Sequence, residues 1–229
     1  MSEYDAAAAE PRPGEALLDA VVIMDRLRSP GGCPWDREQT HVSLTRYLIE
    51  ECYELLQAIE DGDVDAMREE LGDVLLQVLF HARIAAETPS ADGGFDIDDI
   101  ARALVDKLVR RHPYVFGGPD ERETLTPDEQ QVRWDELKKA EHTAPSPLDG
   151  VAVGQPAIAL AAKLGARSVK YGVGADDAPL PVGDTPGERI FRMAFEAGAR
   201  GEDPEQAVRT VARRYMAQVA RAAESAPGE

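Results

Sequence analysis

The stretches LIEECYELL (residues 48–56) and REELGDVLL (residues 68–76) decide the fold that this sequence predicts. Both set carboxylates among leucines and other apolar residues at the three- and four-residue spacing of an α-helix. Between them, DGD at residues 61–63 predicts a tight turn, with Asp63 as the N-cap of the second helix. The two helices should therefore lie side by side and run antiparallel.

Four acidic side chains of these helices are expected to converge. Residues three and four apart share a helix face, and the two pairs lie at similar distances from the turn. The pairs are Glu51 with Glu54 and Glu70 with Asp73. Carboxylates beside a core are costly unless a cation compensates them, and an oxygen-rich set suits Mg²⁺ or Mn²⁺ rather than zinc. The alternative is a set of solvated surface carboxylates.

Glu50 adjoins this set and has three open interpretations. It is a candidate ligand of a second metal ion, a base for an attacking water, or a surface residue. Because Mg²⁺ usually keeps several waters and takes other ligands from substrate phosphates, the acidic set indicates metal-assisted hydrolysis of a phosphorylated molecule.

Such a substrate needs cations, and the end of the fourth predicted helix supplies them. Lys107 and Arg111 share one face there, with Arg110 beside them. A basic last turn also stabilises a helix through its dipole, by about 0.3–1 kcal/mol, so both interpretations stay open. Farther on, Trp134 is a candidate stacking surface for a base with Lys138 near it, or a core residue of an amphipathic helix.

Apolar periodicity over the whole chain predicts an all-α fold. Four helices with mostly short connections are typical of an antiparallel four-helix bundle. They are expected at residues 15–28, 43–60, 64–87 and 98–112. The segment SPGGCPWD, residues 29–36, is expected to be a loop, and Gly72 should allow close helix approach. The core stripe of the second helix should be Leu48, Cys52, Leu55, Leu56 and Ile59.

Composition divides the chain into four parts. They are a disordered lead (1–14), a catalytic helical bundle (15–141), a linker rich in proline and glycine (142–156) and a further helical region (157–229). In the last part, helices are expected at residues 157–170 and 188–224, with a break near residues 201–204. Another long segment of low order is expected at residues 172–187.

The net charge and the composition of the chain disfavour several classes of partner. A formal charge of −18, from 43 acidic and 25 basic residues, disfavours binding to duplex nucleic acid or to an anionic membrane. No run of 18 apolar residues and no signal-peptide pattern is present, so the expected compartment is the cytoplasm. Cys33 and Cys52 show neither a disulfide framework nor the spacing of a zinc site.

Taken together, four segments resemble the MazG-type nucleoside triphosphate pyrophosphohydrolases. They are the CPWD segment that runs into EExxE (33–63), the ExxD segment (68–85), DKLVRRHPYVFG (106–117) and WDELKKAE (134–141). The resemblance implies an all-α, Mg²⁺-dependent homodimer that cleaves a nucleoside triphosphate between its α and β phosphates. It implies metal ligands at Glu51, Glu54, Glu70 and Asp73, phosphate contacts at Lys107 and Arg111, and a substrate-side segment with Trp134 and Lys138.

Full-length members of this family carry two copies of the bundle, and the second copy looks eroded here. GERIFRMAFEA at residues 187–197 resembles GDVLLQVLFHA at residues 72–82, which aligns Glu188 with Asp73. Farther on, Arg214 falls opposite Lys107, but Gln218 falls where Arg111 would be. No EExxE precedes Gly187, so the C-terminal region is expected to be a non-catalytic appendage for dimerisation or regulation.

Three functions follow from this sequence. The first is hydrolysis of NTPs or dNTPs, including damaged or non-standard nucleotides. The second keeps the bundle but changes the substrate to dUTP, dCTP or phosphoribosyl-ATP. The third is a non-catalytic nucleotide- or metal-sensing interaction protein, which would bind nucleotide without turnover.

Overall fold

A computed structural model describes residues 14–118, 126–140, 146–174 and 176–225, and within these ranges the protein is built from ten α-helices without a strand. The all-α class is therefore confirmed. The disordered lead predicted at the N-terminus lies, except for Gly14, outside the described residues. The helices are α1 (Glu15–Arg28), α2 (Pro34–Glu38), α3 (His41–Asp61), α4 (Val64–Ala85), α5 (Ile97–Arg111), α6 (Pro113–Phe116), α7 (Pro127–Ala140), α8 (Ala157–Tyr171), α9 (Pro186–Ala199) and α10 (Pro204–Ser225).

The antiparallel pair α3 and α4 is defined by the caps at its turn. Gly62 ends α3 in the left-handed conformation, with φ of 68°, which glycine adopts without steric cost. The side chain of Asp63 then accepts hydrogen bonds from the backbone N–H groups of Asp65 (3.1 Å) and Ala66 (3.0 Å). The predicted turn and its N-cap are both confirmed.

The hydrophobic core of the first compact unit, which ends at residue 127, lies where α1 and α3 pack on the C-terminal half of α4. Its buried members are Met24, Leu44, Leu79 and Phe80. Trp35 packs edge-on against Phe80, with ring centroids 6.3 Å apart. The prediction that residues 29–36 form only a loop is wrong at its end, because Pro34 starts the short helix α2, a position that its fixed φ favours.

Part of the predicted core stripe of α3 is exposed. Cys52 is exposed and Ile59 is 52% exposed, whereas Leu44 and Ala58 are the buried residues of this helix. The role predicted for Gly72 is also wrong, because a Cβ added there would meet no atom within 4 Å. In both cases the sequence shows an apolar or small residue, but no described helix of this unit packs against that position.

Helix α5, the fourth helix of the predicted bundle, buries none of its residues. Ile97, at its start, packs against the core as a partly buried residue. Farther along, Leu104 is 47% exposed and Val105 is 56% exposed. The apolar stripe of α5 is therefore present in the sequence but uncovered in the single chain.

The described residues fall into two compact units, divided between residues 127 and 128. In the second unit α8 and α9 approach closely, because a Cβ at Gly165 would lie 2.0 Å from the carbonyl oxygen of Phe195, and one at Gly198 would lie 2.0 Å from that of Ala162. The predicted break between α9 and α10 is confirmed. The domain boundaries expected from composition stay a prediction. None of the helices in the described ranges is both long and apolar enough to span a bilayer.

Arg28 joins three segments of the first unit. Its guanidinium is buried and donates two hydrogen bonds to the carboxylate of Glu87, at 2.9 and 3.0 Å. It also donates to the carbonyl oxygens of Asp36 and of Gln39, the latter at 3.2 Å. The hydrogen bonds from Arg28 to Glu87 lower the pKa of Glu87, and the positive charges of Arg28 and Arg83 add to this effect.

We expect Arg28→Met to destabilise the protein by about 2–3 kcal/mol, because it leaves two carbonyls and a carboxylate without their buried donor. The value lies below that of a fully buried pair since the side chain of Glu87 is 42% exposed. Urea unfolding measures the change. Arg37→Met, at an exposed position of α2, is the matched control and should stay within about 0.5 kcal/mol of wild type. Equal midpoints for the two variants would contradict the role of Arg28.

Candidate metal centre

Glu51, Glu70 and Asp73 meet between α3 and α4. One carboxylate oxygen of each lies within 4.8 Å of those of the other two, and all three residues are half-buried. Glu51 comes from the middle of α3, and Glu70 and Asp73 occupy successive positions on the face of α4 that meets it. The structure thus brings together three of the four carboxylates predicted to converge.

Glu54 and Glu50 lie at the edge of this trio and are exposed. Glu54 lies close enough to Glu51 to raise the pKa of Glu51. With Glu70, both residues line an open cavity of about 470 Å³ whose other walls include Tyr53 and Gln57. Glu54 is therefore a neighbour of the trio on the cavity side, and Glu50 faces the same cavity.

The electrostatics of the cluster are unfavourable for the chain alone. Burial raises the pKa of Glu51, and so do the nearby charges of Asp73, Glu54 and Glu70. The pKa of Glu70 is likewise raised, by burial first and then by Glu54, Asp73 and Glu69. Both shifts mean that the folded protein resists ionising these carboxylates.

No Lys or Arg in the described part of the chain forms an ion pair with Glu51, Glu54, Glu70 or Asp73. A divalent cation is the missing positive charge that this donor set fits. Bonds of about 2.0–2.1 Å to Mg²⁺ place two ligand oxygens at most about 4.2 Å apart, so small side-chain rotations would suffice. An all-carboxylate set is the ligand type of Mg²⁺ and Mn²⁺.

The predicted phosphate-binding cations lie on α5. Lys107 and Arg110 are exposed and Arg111 is half-buried, all in the last turns of α5. Trp134 is half-buried on α7, and the side chain of Lys138 lies outside the described residues. Their roles toward a substrate stay predictions.

Neither Gln77 nor His81 is among the site residues predicted from the sequence. They continue the polar line of α4 from Asp73 at four-residue intervals, inside the apolar run VLLQVLFHA. Nδ1 of His81 lies 2.7 Å from Nδ1 of His41, and the two rings are stacked. A polar residue inside an apolar run, in register with two carboxylates, is the signal that identifies Gln77.

Comparison with known proteins identifies the family. Residues 39–116 match the MazG nucleotide pyrophosphohydrolase domain. A nucleoside triphosphate pyrophosphohydrolase of Mycolicibacterium smegmatis is 47% identical over 224 residues, covering 87% of this chain and 67% of that protein. The chain belongs to the MazG family. As a MazG-family member it is an enzyme of the class of hydrolases that act on acid anhydrides.

Two further proteins are similar to this chain. An uncharacterised protein of Streptomyces cacaoi is 49% identical over 204 residues, covering 89% of this chain and 81% of that protein. A crystal structure of a MazG-related protein from Thermotoga maritima is 30% identical with a TM-score of 0.43, and the match covers 55% of this chain and 98% of that chain.

Glu188, which aligns with Asp73 of the MazG motif, has a different environment. Its backbone N–H donates to Oγ1 of Thr185 (3.3 Å), and its carboxylate accepts from the backbone N–H of Thr185 (3.2 Å), which forms a capping box at the start of α9. Hydrogen bonds from Thr185 lower the pKa of Glu188. This carboxylate stabilises a helix N-terminus, whereas Asp73 lies in the interior of α4.

We expect Glu70→Gln to raise the thermal midpoint of the metal-free protein at pH 7, because it removes one of four mutually repelling carboxylates. It should also reduce the rise in midpoint that Mg²⁺ or Mn²⁺ produces. Differential scanning fluorimetry, with EDTA or with metal, measures both effects. The exposed Glu38→Gln is the control and should change neither. A lower midpoint combined with an unchanged metal response would contradict the assignment.

The pair His41 and His81 predicts a pH dependence of stability. Burial, and then the charge of His41, lower the pKa of His81 below the ordinary 6.5. As pH falls below that value, the unfolded chain takes up its proton first, so stability should decline down to the lower folded-state pKa. Urea unfolding between pH 7.5 and 5 measures the slope, which His81→Phe should reduce. His112→Phe should retain it, and an equal slope in His81→Phe would exclude this pair as the cause.

Proposed function

We propose that this chain is a metal-dependent nucleoside triphosphate pyrophosphohydrolase, which converts an NTP or dNTP and water to the nucleoside monophosphate and pyrophosphate. The observation that carries the proposal is the trio Glu51, Glu70 and Asp73, whose oxygens lie within 4.8 Å of one another and form no ion pair with a basic side chain among the residues that the structure describes. The MazG match over residues 39–116 spans this trio. Mg²⁺ is the proposed metal, with Mn²⁺ as a substitute.

In the proposed mechanism the carboxylates of Glu51, Glu70 and Asp73, on α3 and α4, would hold the metal. Such a cation, when bound, neutralises phosphate charge and lowers the pKa of a nearby water. The water oxygen attacks the α-phosphorus, the bond from that phosphorus to the bridging oxygen breaks, and pyrophosphate leaves. Glu50, which is exposed on the adjoining cavity, would accept the proton of the attacking water.

The proposed substrate contacts are the residues predicted from the sequence. Lys107, Arg110 and Arg111 would neutralise charge on the phosphates, and Trp134 with Lys138 would contact the substrate. We also propose that the protein acts in the cytoplasm as a homodimer. The exposed apolar stripe of α5, which buries none of its residues in the single chain, supports an interface there.

We expect Asp73→Asn to lower turnover by about a hundred-fold or more, because losing about 3 kcal/mol of charge stabilisation corresponds to that factor. Asp19→Asn, on the exposed side of α1, is the matched control and should keep wild-type turnover. The assay measures phosphate release from a panel of NTPs and dNTPs with Mg²⁺, with and without added inorganic pyrophosphatase.

The assays with and without added pyrophosphatase distinguish the release of pyrophosphate from the release of orthophosphate. Signal that requires the added pyrophosphatase identifies pyrophosphate as the product, whereas signal without it identifies orthophosphate and contradicts the proposal. Nucleotide binding without either product would instead favour the sensing protein. The substrate panel also distinguishes a general activity from one restricted to dUTP or dCTP.

A further inference from the structure

Gln77 is a buried polar side chain beside the candidate metal centre. It lies on α4 and is only 4% exposed, and its Oε1 has no hydrogen-bond partner among the described residues. An acceptor that is removed from water without a partner leaves its desolvation cost uncompensated, so such groups are rare in folded proteins. The few that occur call for a specific explanation.

The position of Gln77 on α4 connects it to the carboxylates. Successive helical residues advance by about 100°, so Gln77 projects about 40° from Asp73 and lies between the directions of Asp73 and Glu70. The Cβ atoms of Asp73 and Gln77, one turn apart, are about 5–6 Å from each other. Gln77 therefore lies on the α3-facing side of α4, on the same stripe as the two carboxylates.

The chemistry of the site decides which donor this acceptor needs. Ionised carboxylates carry no donor, and neither does the ionised triphosphate of a nucleotide. Mg²⁺ usually retains several waters, and these donate strongly because the cation polarises them. We infer that Gln77 accepts a hydrogen bond from a water in the coordination shell of the cation held by Glu51, Glu70 and Asp73, and so positions that water. This role rests on the proposed function.

As a positioning residue, Gln77 should act on metal affinity as well as on turnover. Residues that hold the surroundings of a metal site typically change affinity by about 10–100-fold when they are replaced. A buried acceptor whose donor arrives only with the ligand also weakens the metal-free protein. Removing the acceptor should therefore weaken metal binding but raise the stability of the metal-free protein. Replacing an ordinary core residue would not produce this combination.

The test compares two substitutions of Gln77 in the full chain. Gln77→Met keeps the length of the side chain and removes the acceptor, so Mn²⁺ should bind at least about 10-fold more weakly, while the thermal midpoint in EDTA should rise. Gln77→Glu keeps an acceptor, so Mn²⁺ affinity should stay within about 3-fold of wild type, while the added charge should lower the midpoint in EDTA. Leu79→Met, on the α1-facing side of α4, is the control and should leave Mn²⁺ affinity unchanged.

Electron paramagnetic resonance of free Mn²⁺ gives the affinities without any catalytic assay. Equal Mn²⁺ affinity of Gln77→Met and wild type would overturn the role of Gln77 and leave the metal centre standing. Failure of the wild-type protein to bind Mn²⁺ would instead overturn the centre itself. If Gln77→Met does not fold, Gln77→Leu, which also removes the acceptor, decides: Mn²⁺ binding at least about 10-fold weaker than wild type supports the role, and unchanged binding overturns it.

Discussion

Repulsion among like charges between α3 and α4 is the constraint on which the rest of the structure depends. Glu51, Glu70 and Asp73 are half-buried and have no basic partner within the described part of the chain, and the folded chain must hold them together against their mutual repulsion. The hairpin resists this field at its closed end, where Gly62 and the N-cap Asp63 fix the turn, and at its far end, where Leu44 and Phe80 are buried. The mutually repelling carboxylates therefore lie between the two stabilised ends of the hairpin formed by α3 and α4.

This arrangement relates stability to function in a direct way. A site that is unfavourable in the free protein is a site at which a bound cation gains the most, because binding removes the repulsion as well as forming new bonds. The chain as a whole is strongly acidic, so the long-range field adds to the local attraction for a small cation. The triphosphate, by contrast, has to approach a negative surface and depends on a metal or on basic residues to do so.

Local chemistry made the hairpin predictable from sequence, and tertiary packing made other parts unpredictable. The turn at Gly62 and the cap at Asp63 obey rules that need only neighbouring residues. The exposure of Cys52 and Ile59, and the open space at Gly72, depend on which helices are present to cover them. Periodicity identifies an apolar stripe but cannot state whether the same chain or another molecule covers it. Burial of Gln77 likewise becomes visible only once α3 lies against α4.

Glu188 and Asp73 align in sequence but occupy different positions within their helices. At Asp73 the chain is already helical for nine residues, so a carboxylate there projects from a complete helix wall. At Glu188 the helix has only begun, with Thr185 and Pro186 marking its start. Adding acidic residues to the second unit would therefore not rebuild a second metal centre. The start of α9 would have to move toward the N-terminus first, across Pro186, and two stabilising features, the capping box and the proline, oppose that extension.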